Sequence, residues 1–198
     1  MGKNNSIART VTYFAVLLAL VIVLQLFASG ITVGTVTLNF SLIPIVLGAI
    51  ILGPYFGAAL GVVCGLVIFF AGLSGADQFT FILIGDHPVL TLLLCVTKTG
   101  AAGLISGFLY VLLGKKNAYV GSFVSAAVVP IVNTAIFILG ALMMSGTLKK
   151  NFVADGQTVV YFLVVVCAGM NFIFEFALNL ILAPAIAQVV RVVEKRKF

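Results

Sequence analysis

The sequence predicts an all-α integral membrane protein of six transmembrane helices, folded as a single domain over residues 1–198. Three observations lead there. Hydrophobic residues make up 63% of the chain and charged residues only 8%, against the roughly 25% charged residues of a soluble domain. The mean hydropathy is +1.30. Apolar runs of about the 20 residues needed to cross a bilayer follow one another, separated by short polar breaks. This composition cannot build a surface that faces water, but it suits one that faces lipid.

The elements follow in order. Residues 11–29 form the first helix, an apolar run too long for a signal-peptide core and followed by five more, so it is expected to stay in the protein. Residues 30–40 alternate small polar and β-branched residues, the pattern of an extended loop. A short second helix over 41–53 is ended by Gly53-Pro54, which starts the third helix at 54–72. The second helix is too short to cross the hydrocarbon core upright, so it must tilt or pack inside the bundle. Residues 73–88 are the most polar connection, and Pro88 suits the first turn of a fourth helix over 89–113. Gly114-Lys115-Lys116-Asn117 is a tight charged turn. The fifth helix, 118–144, contains Pro130, a polar loop covers 145–158, and the sixth helix runs over 159–190 with Pro184 near its end.

The net charge of +6 is a topological signal. Lys3 and Arg9 precede the first helix, Lys115 and Lys116 separate the fourth and fifth, and Arg191, Lys195, Arg196 and Lys197 close the chain. The positive-inside rule therefore places both termini in the cytoplasm of a multi-pass protein of the cell membrane. The outer loops are then 30–40, 73–88 and 145–158. The same distribution argues against a nucleic-acid partner. Cys64, Cys95 and Cys167 lie inside apolar runs without paired spacing and read as free thiols.

Few residues carry chemistry. Lys98 stands inside the fourth helix, where a charge costs about 2.5–3.5 kcal/mol on translocon scales and should face a cavity or a partner. The plainer reading is a lysine that reaches for the interface. Asn171, Glu175 and Asn179 share one face of the sixth helix through their spacing of four, and the plainer reading is a hydrogen-bonded seam between helices. A Lys98–Glu175 ion pair would be one version of that seam. At about 1.5 Å per residue, Lys98 lies roughly 14 Å, Asn133 roughly 17 Å and Asn171 roughly 18 Å below the outer ends of their helices, a common depth for one outward-opening pocket. Glu175 lies deeper, at roughly 24 Å. Asn39, the segment Asp77 to Thr80 with Phe79, and Asp86-His87 would form its lid, and His87 would cap the fourth helix together with Asp86. A single histidine and scattered carboxylates do not make a metal site, and no cofactor is implied. Gly72-Leu-Ser-Gly75 matches the motif of intramembrane serine proteases but lacks a histidine facing Ser74 within the membrane. With no phosphate-binding loop the chain is expected to have no ATPase of its own, and it is expected not to be an enzyme. Ala15 and Ala19, the series Gly57, Gly61 and Gly65, and the pair Gly103 and Gly107 present small faces to neighbouring helices.

Residues 38–61, reading Leu-Asn-Phe-Ser-Leu-Ile-Pro through Gly-Pro-Tyr-Phe-Gly-Ala-Ala-Leu-Gly, closely resemble the second and third helices of the substrate-binding S components of energy-coupling factor (ECF) transporters. Pro130 to Thr134 and Asn171 to Glu175 resemble the later helices of the riboflavin, folate and pantothenate branch. The resemblance covers nearly the whole chain and implies an S-component-like bundle. Such a protein captures a water-soluble vitamin or related micronutrient on the outer side and topples to deliver it. Its partners would be a transmembrane coupling subunit, docking on Ala15 and Ala19, and two cytoplasmic ATPases of an ABC-type importer.

In that setting the expected substrate-binding residues are Lys98, Asn133, Asn171, Glu175, Asn39, Phe79, Asp86 and His87. The riboflavin members open their second helix with Asp-Phe-Ser-Asp, where this chain has Asn39-Phe40-Ser41-Leu42. A buried lysine suits a carboxylate. Pantothenate is therefore expected first, then folate or riboflavin. The alternative is a stand-alone secondary transporter or channel for a small solute, which should show inverted repeats with paired broken helices; none is evident. A membrane enzyme would need a nucleophile–base pair, for which the single histidine leaves little room.

Overall fold

The computed structural model describes residues 2–28, 32–33, 36–37, 39–114 and 117–195. Apolar runs that have no water to bond to satisfy their backbone internally as helices. The chain accordingly runs α1 (Gly2–Ala28), β1 (Thr32–Val33), β2 (Val36–Thr37), α2 (Leu42–Ile51), α3 (Pro54–Leu73), α4 (Gln78–Asp86), α5 (Pro88–Leu113), α6 (Ala118–Leu142), α7 (Ser145–Asn151), α8 (Val159–Tyr161), a π-helical segment (Phe162–Gly169) and α9 (Met170–Lys195). Five helices among the described residues are long and apolar enough to cross a membrane. The sixth apolar element, α2, has ten residues, about 15 Å of helix against a hydrocarbon core of about 30 Å.

The tightest seam joins α3 to α5, and glycine makes it. A Cβ on Gly57 would stand 2.9 Å from the carbonyl oxygen of Gly103, and Gly61 and Gly65 face the backbone at Thr99 and Cys95 just as closely. The Thr99 hydroxyl donates to the Gly61 carbonyl at 2.6 Å. The glycine faces of these two helices are thus spent on each other inside the bundle. By contrast α1 is peripheral: only 17% of its apolar stretch is buried, against 44% in α3 and α5. Ala15 and Ala19 lie on its exposed face.

The first connection contains extended backbone as expected, whereas the two expected as polar connections contain short helices. Residues 32–37 include a two-stranded antiparallel hairpin pairing Thr32 with Thr37 and Val33 with Val36. The segment 73–88 contains α4, because Asp77 caps it, accepting from the Thr80 amide at 3.2 Å and the Thr80 hydroxyl at 2.7 Å, and because Phe79 and Leu83, four apart, are both buried. The segment 145–158 begins with α7, which buries Thr147 and Leu148. His87 precedes α5 without any side-chain capping bond; its backbone carbonyl accepts from the Thr91 hydroxyl at 2.8 Å instead. Of the basic residues expected on the inner side, Lys115, Lys116, Arg196 and Lys197 lie outside the described residues, as does part of the loop 30–40.

Two apolar clusters hold the bundle. One gathers Leu17, Val21, Ile45, Leu60 and Val129 around α2. The other gathers Phe79, Leu83, Phe137, Leu148 and Phe162 around α4 and α7. The candidate site lies between them, drawing lining residues from both.

Candidate functional site

Because α2 begins in mid-bundle, the space in line with its N-terminus is left to polar side chains from other helices. Asn39, just before α2, is 6% exposed, and its backbone N–H donates to the Glu175 carboxylate of α9 at 3.0 Å, across 136 residues of chain. Ser41 is fully buried and its hydroxyl donates to Gln25 Oε1 of α1 at 2.8 Å. These two bonds fix the start of α2 between α1 and α9.

They also shape a cavity of about 50 Å³, room for about four waters. Lys98 enters it from α5, Asn133, Thr134 and Phe137 from α6, Asn171 and Glu175 from α9, and Asn39 from the α2 start. Phe79, Thr80 and Leu83 of α4 form a further wall. Phe79 packs between Phe137 and Phe152, with ring centroids 5.8 and 5.0 Å away, and Phe152 stacks on Phe162 at 5.9 Å.

The polar atoms here are conspicuous for what they lack. Lys98 is half-buried; its ammonium sits 5.2 Å from the centroid of the Phe137 ring and makes no ion pair among the described residues. Glu175 and Lys98, though they line the same cavity, are therefore not bonded to each other. Asn39 Nδ2, Asn133 Oδ1 and both amide atoms of Asn171 are buried without a hydrogen-bond partner among the described residues. An unmet buried polar atom costs about 1–3 kcal/mol. Four such atoms gather around this one cavity, beside an ammonium that has no ion pair among the described residues.

Six of the expected site residues, Lys98, Asn133, Asn171, Glu175, Asn39 and Phe79, meet at this cavity. Asp86 and His87 are not among its lining residues. The Asp86 carboxylate accepts from the Thr147 hydroxyl at 2.7 Å, tying α4 to α7. Ala15 and Ala19 are away from it on α1. Sequence reasoning passed over Gln25, Thr91, Thr134 and Phe137, which also line the cavity. Two of these carried a signal. Gln25 is the lone amide within the apolar part of α1, and Phe137 falls four residues after Asn133 on the same helical face. Ser74, of the protease-like motif, gives its hydroxyl to the Ala71 carbonyl at 2.9 Å.

Residues 9–187 match the family model described as "ECF transporter, substrate-specific component". No curated protein matches the chain.

Proposed function

Because the chain belongs to the ECF transporter substrate-specific component family, and so is a membrane-embedded transport subunit that binds a substrate, we propose that its substrate occupies the cavity between α2, α4, α5, α6 and α9. The observation that carries this is the meeting of an unpaired ammonium on Lys98 with four unmet amide atoms on Asn39, Asn133 and Asn171. Lys98 lines the cavity together with the carboxylates of Glu175 and Asp77 but is ion-paired to neither among the described residues, and a ligand carboxylate is a group that an ammonium and amide donors satisfy together. The substrate is a small water-soluble carboxylate of the vitamin type. Pantothenate is the first candidate and folate, also a carboxylate, follows; riboflavin, which carries no carboxylate, comes last.

Delivery would need partners: a transmembrane coupling subunit and two cytoplasmic ATPases. The lightly covered α1, with Ala15 and Ala19 exposed, offers the coupling subunit a face where backbones can approach closely. Both termini would lie in the cytoplasm, with the α4 and α7 side of the bundle outward.

The test is ligand identification. Full-length protein purified in mild detergent is released into native mass spectrometry and titrated with pantothenate by calorimetry. Binding without ATP, weakened more than tenfold by Lys98→Met, supports the reading. A co-purified flavin, or pantothenate affinity unchanged in Lys98→Met, would remove this substrate and this role for Lys98.

A further inference from the structure

The carboxylate accounts for Lys98 but not for the asparagines. Asn171 is 6% exposed, lines the cavity, and leaves both Nδ2 and Oδ1 without a partner among the described residues. A carboxylate accepts hydrogen bonds and gives none, so it can satisfy Nδ2 but leaves Oδ1 facing negative charge. The same holds at Asn133, where the unmet atom is the acceptor Oδ1, whereas at Asn39 it is the donor Nδ2. The unmet set is thus two donor nitrogens and two acceptor oxygens.

Resting on the proposal that this cavity holds the substrate, we infer that the ligand carries an amide group in addition to its anionic end, and that Asn171 is the residue that reads it. A primary amide presents two N–H donors and two carbonyl lone pairs, which answers the unmet set atom for atom. A secondary amide answers three of the four and takes one hydroxyl for the last. An amide is also its own complement, so the match to Asn171 survives interchange of that side chain's nitrogen and oxygen. The anionic end lies against Lys98, and Phe79 and Phe137 supply the apolar wall that the methylene stem between the two ends requires. The substrate class is an amide-bearing carboxylate. Simple carboxylates are disfavoured because they leave the asparagine atoms without their amide partner, the kind of discrimination that hydrogen-bonding pockets achieve and apolar pockets do not.

Succinamate is a small molecule that has both ends joined by a methylene stem. Butyrate lacks its amide and butyramide lacks its charge. Calorimetric titration of the full-length protein in nanodiscs with these three probes needs no variant to fold. Succinamate is expected to bind at least tenfold more tightly than either analogue. Asn171→Leu should erase the advantage over butyrate, and Lys98→Met should erase the advantage over butyramide. If succinamate and butyrate bind alike and Lys98→Met weakens both, the cavity keeps its anion and the amide inference falls. If the succinamate advantage persists in Asn171→Leu, the assignment to Asn171 falls. If none of the three binds, or Lys98→Met changes nothing, the cavity is not the carboxylate site and both proposals fall together.

Discussion

Replacing Lys98 with methionine should stabilise the empty protein while disabling it. Methionine keeps the length of the side chain and removes the ammonium. A lysine at the centre of a span costs about 2.5–3.5 kcal/mol. Its contact with the Phe137 ring, at 5.2 Å, returns about 0.5–2 kcal/mol. The difference is about 0.5–3 kcal/mol, and because Lys98 is half-buried rather than fully enclosed, the expected gain sits near the low end, about 1 kcal/mol. For a chain of this size that is a rise in Tm of about 2–4 °C. The buried thiols of Cys64, Cys95 and Cys167 provide the assay: a thiol-reactive dye reports their exposure as detergent-solubilised protein is heated. A rise in Tm together with loss of ligand binding marks a residue retained for its ligand at the expense of stability. A fall of more than about 2 °C would refute the reasoning, because it would mean that Lys98 is held by a partner and contributes to the fold.

Three further outcomes are expected. Gly61→Leu should abolish folding, since even a Cβ there meets the Thr99 backbone; size-exclusion chromatography of a fluorescent fusion would read this as loss of the monodisperse peak, and a normal peak would disprove the α3–α5 seam. Ala15→Leu combined with Ala19→Leu should leave ligand affinity within about twofold and abolish co-purification with the coupling subunit, because both residues are on the exposed face of α1; retained co-purification would move the docking face elsewhere. Glu175→Gln keeps an acceptor for the Asn39 N–H, whereas Glu175→Leu leaves that donor unmet at about 1–3 kcal/mol, so the leucine variant should unfold at least about 2 °C below the glutamine variant. Equal Tm values would show that this bond contributes nothing.

What the sequence reveals is what helical periodicity carries. Lys98, Asn133 and Asn171 are legible as a set because each is a polar residue within a long apolar helix, and a rise of about 1.5 Å per residue places them at one depth. Glu175 follows by its spacing of four from Asn171. Periodicity says nothing about what a side chain meets across the bundle. The bond from Asn39 to Glu175 joins residues 136 positions apart, and nothing local to either residue announces it. The glycine series on α3 and α5 is visible as two small-residue faces, but only the packing shows that they face each other and not a partner protein. Residues 73–88 look like a polar connection because Asp77, Gln78, Thr80 and Asp86 dominate a composition reading. Their order is what makes a helix: a capping aspartate three residues before Thr80, then Phe79 and Leu83 on one buried face.

The short α2 is the element from which the rest of the site follows. The ten-residue α2 begins among buried side chains, with Asn39 and Ser41 at its start 6% and 0% exposed and its first amides bonded to the turn carbonyls of Asn39, Phe40 and Ser41. The partial positive charge of that terminus makes a nearby carboxylate favourable, and Glu175 is placed there on α9 with one oxygen committed to the Asn39 N–H. The acid is thereby tied to α2 rather than to Lys98, whose ammonium remains free of any ion pair among the described residues. Glu175 and Lys98 line the same cavity, but the acid accepts its hydrogen bond from the Asn39 N–H, which leaves the ammonium available to a ligand.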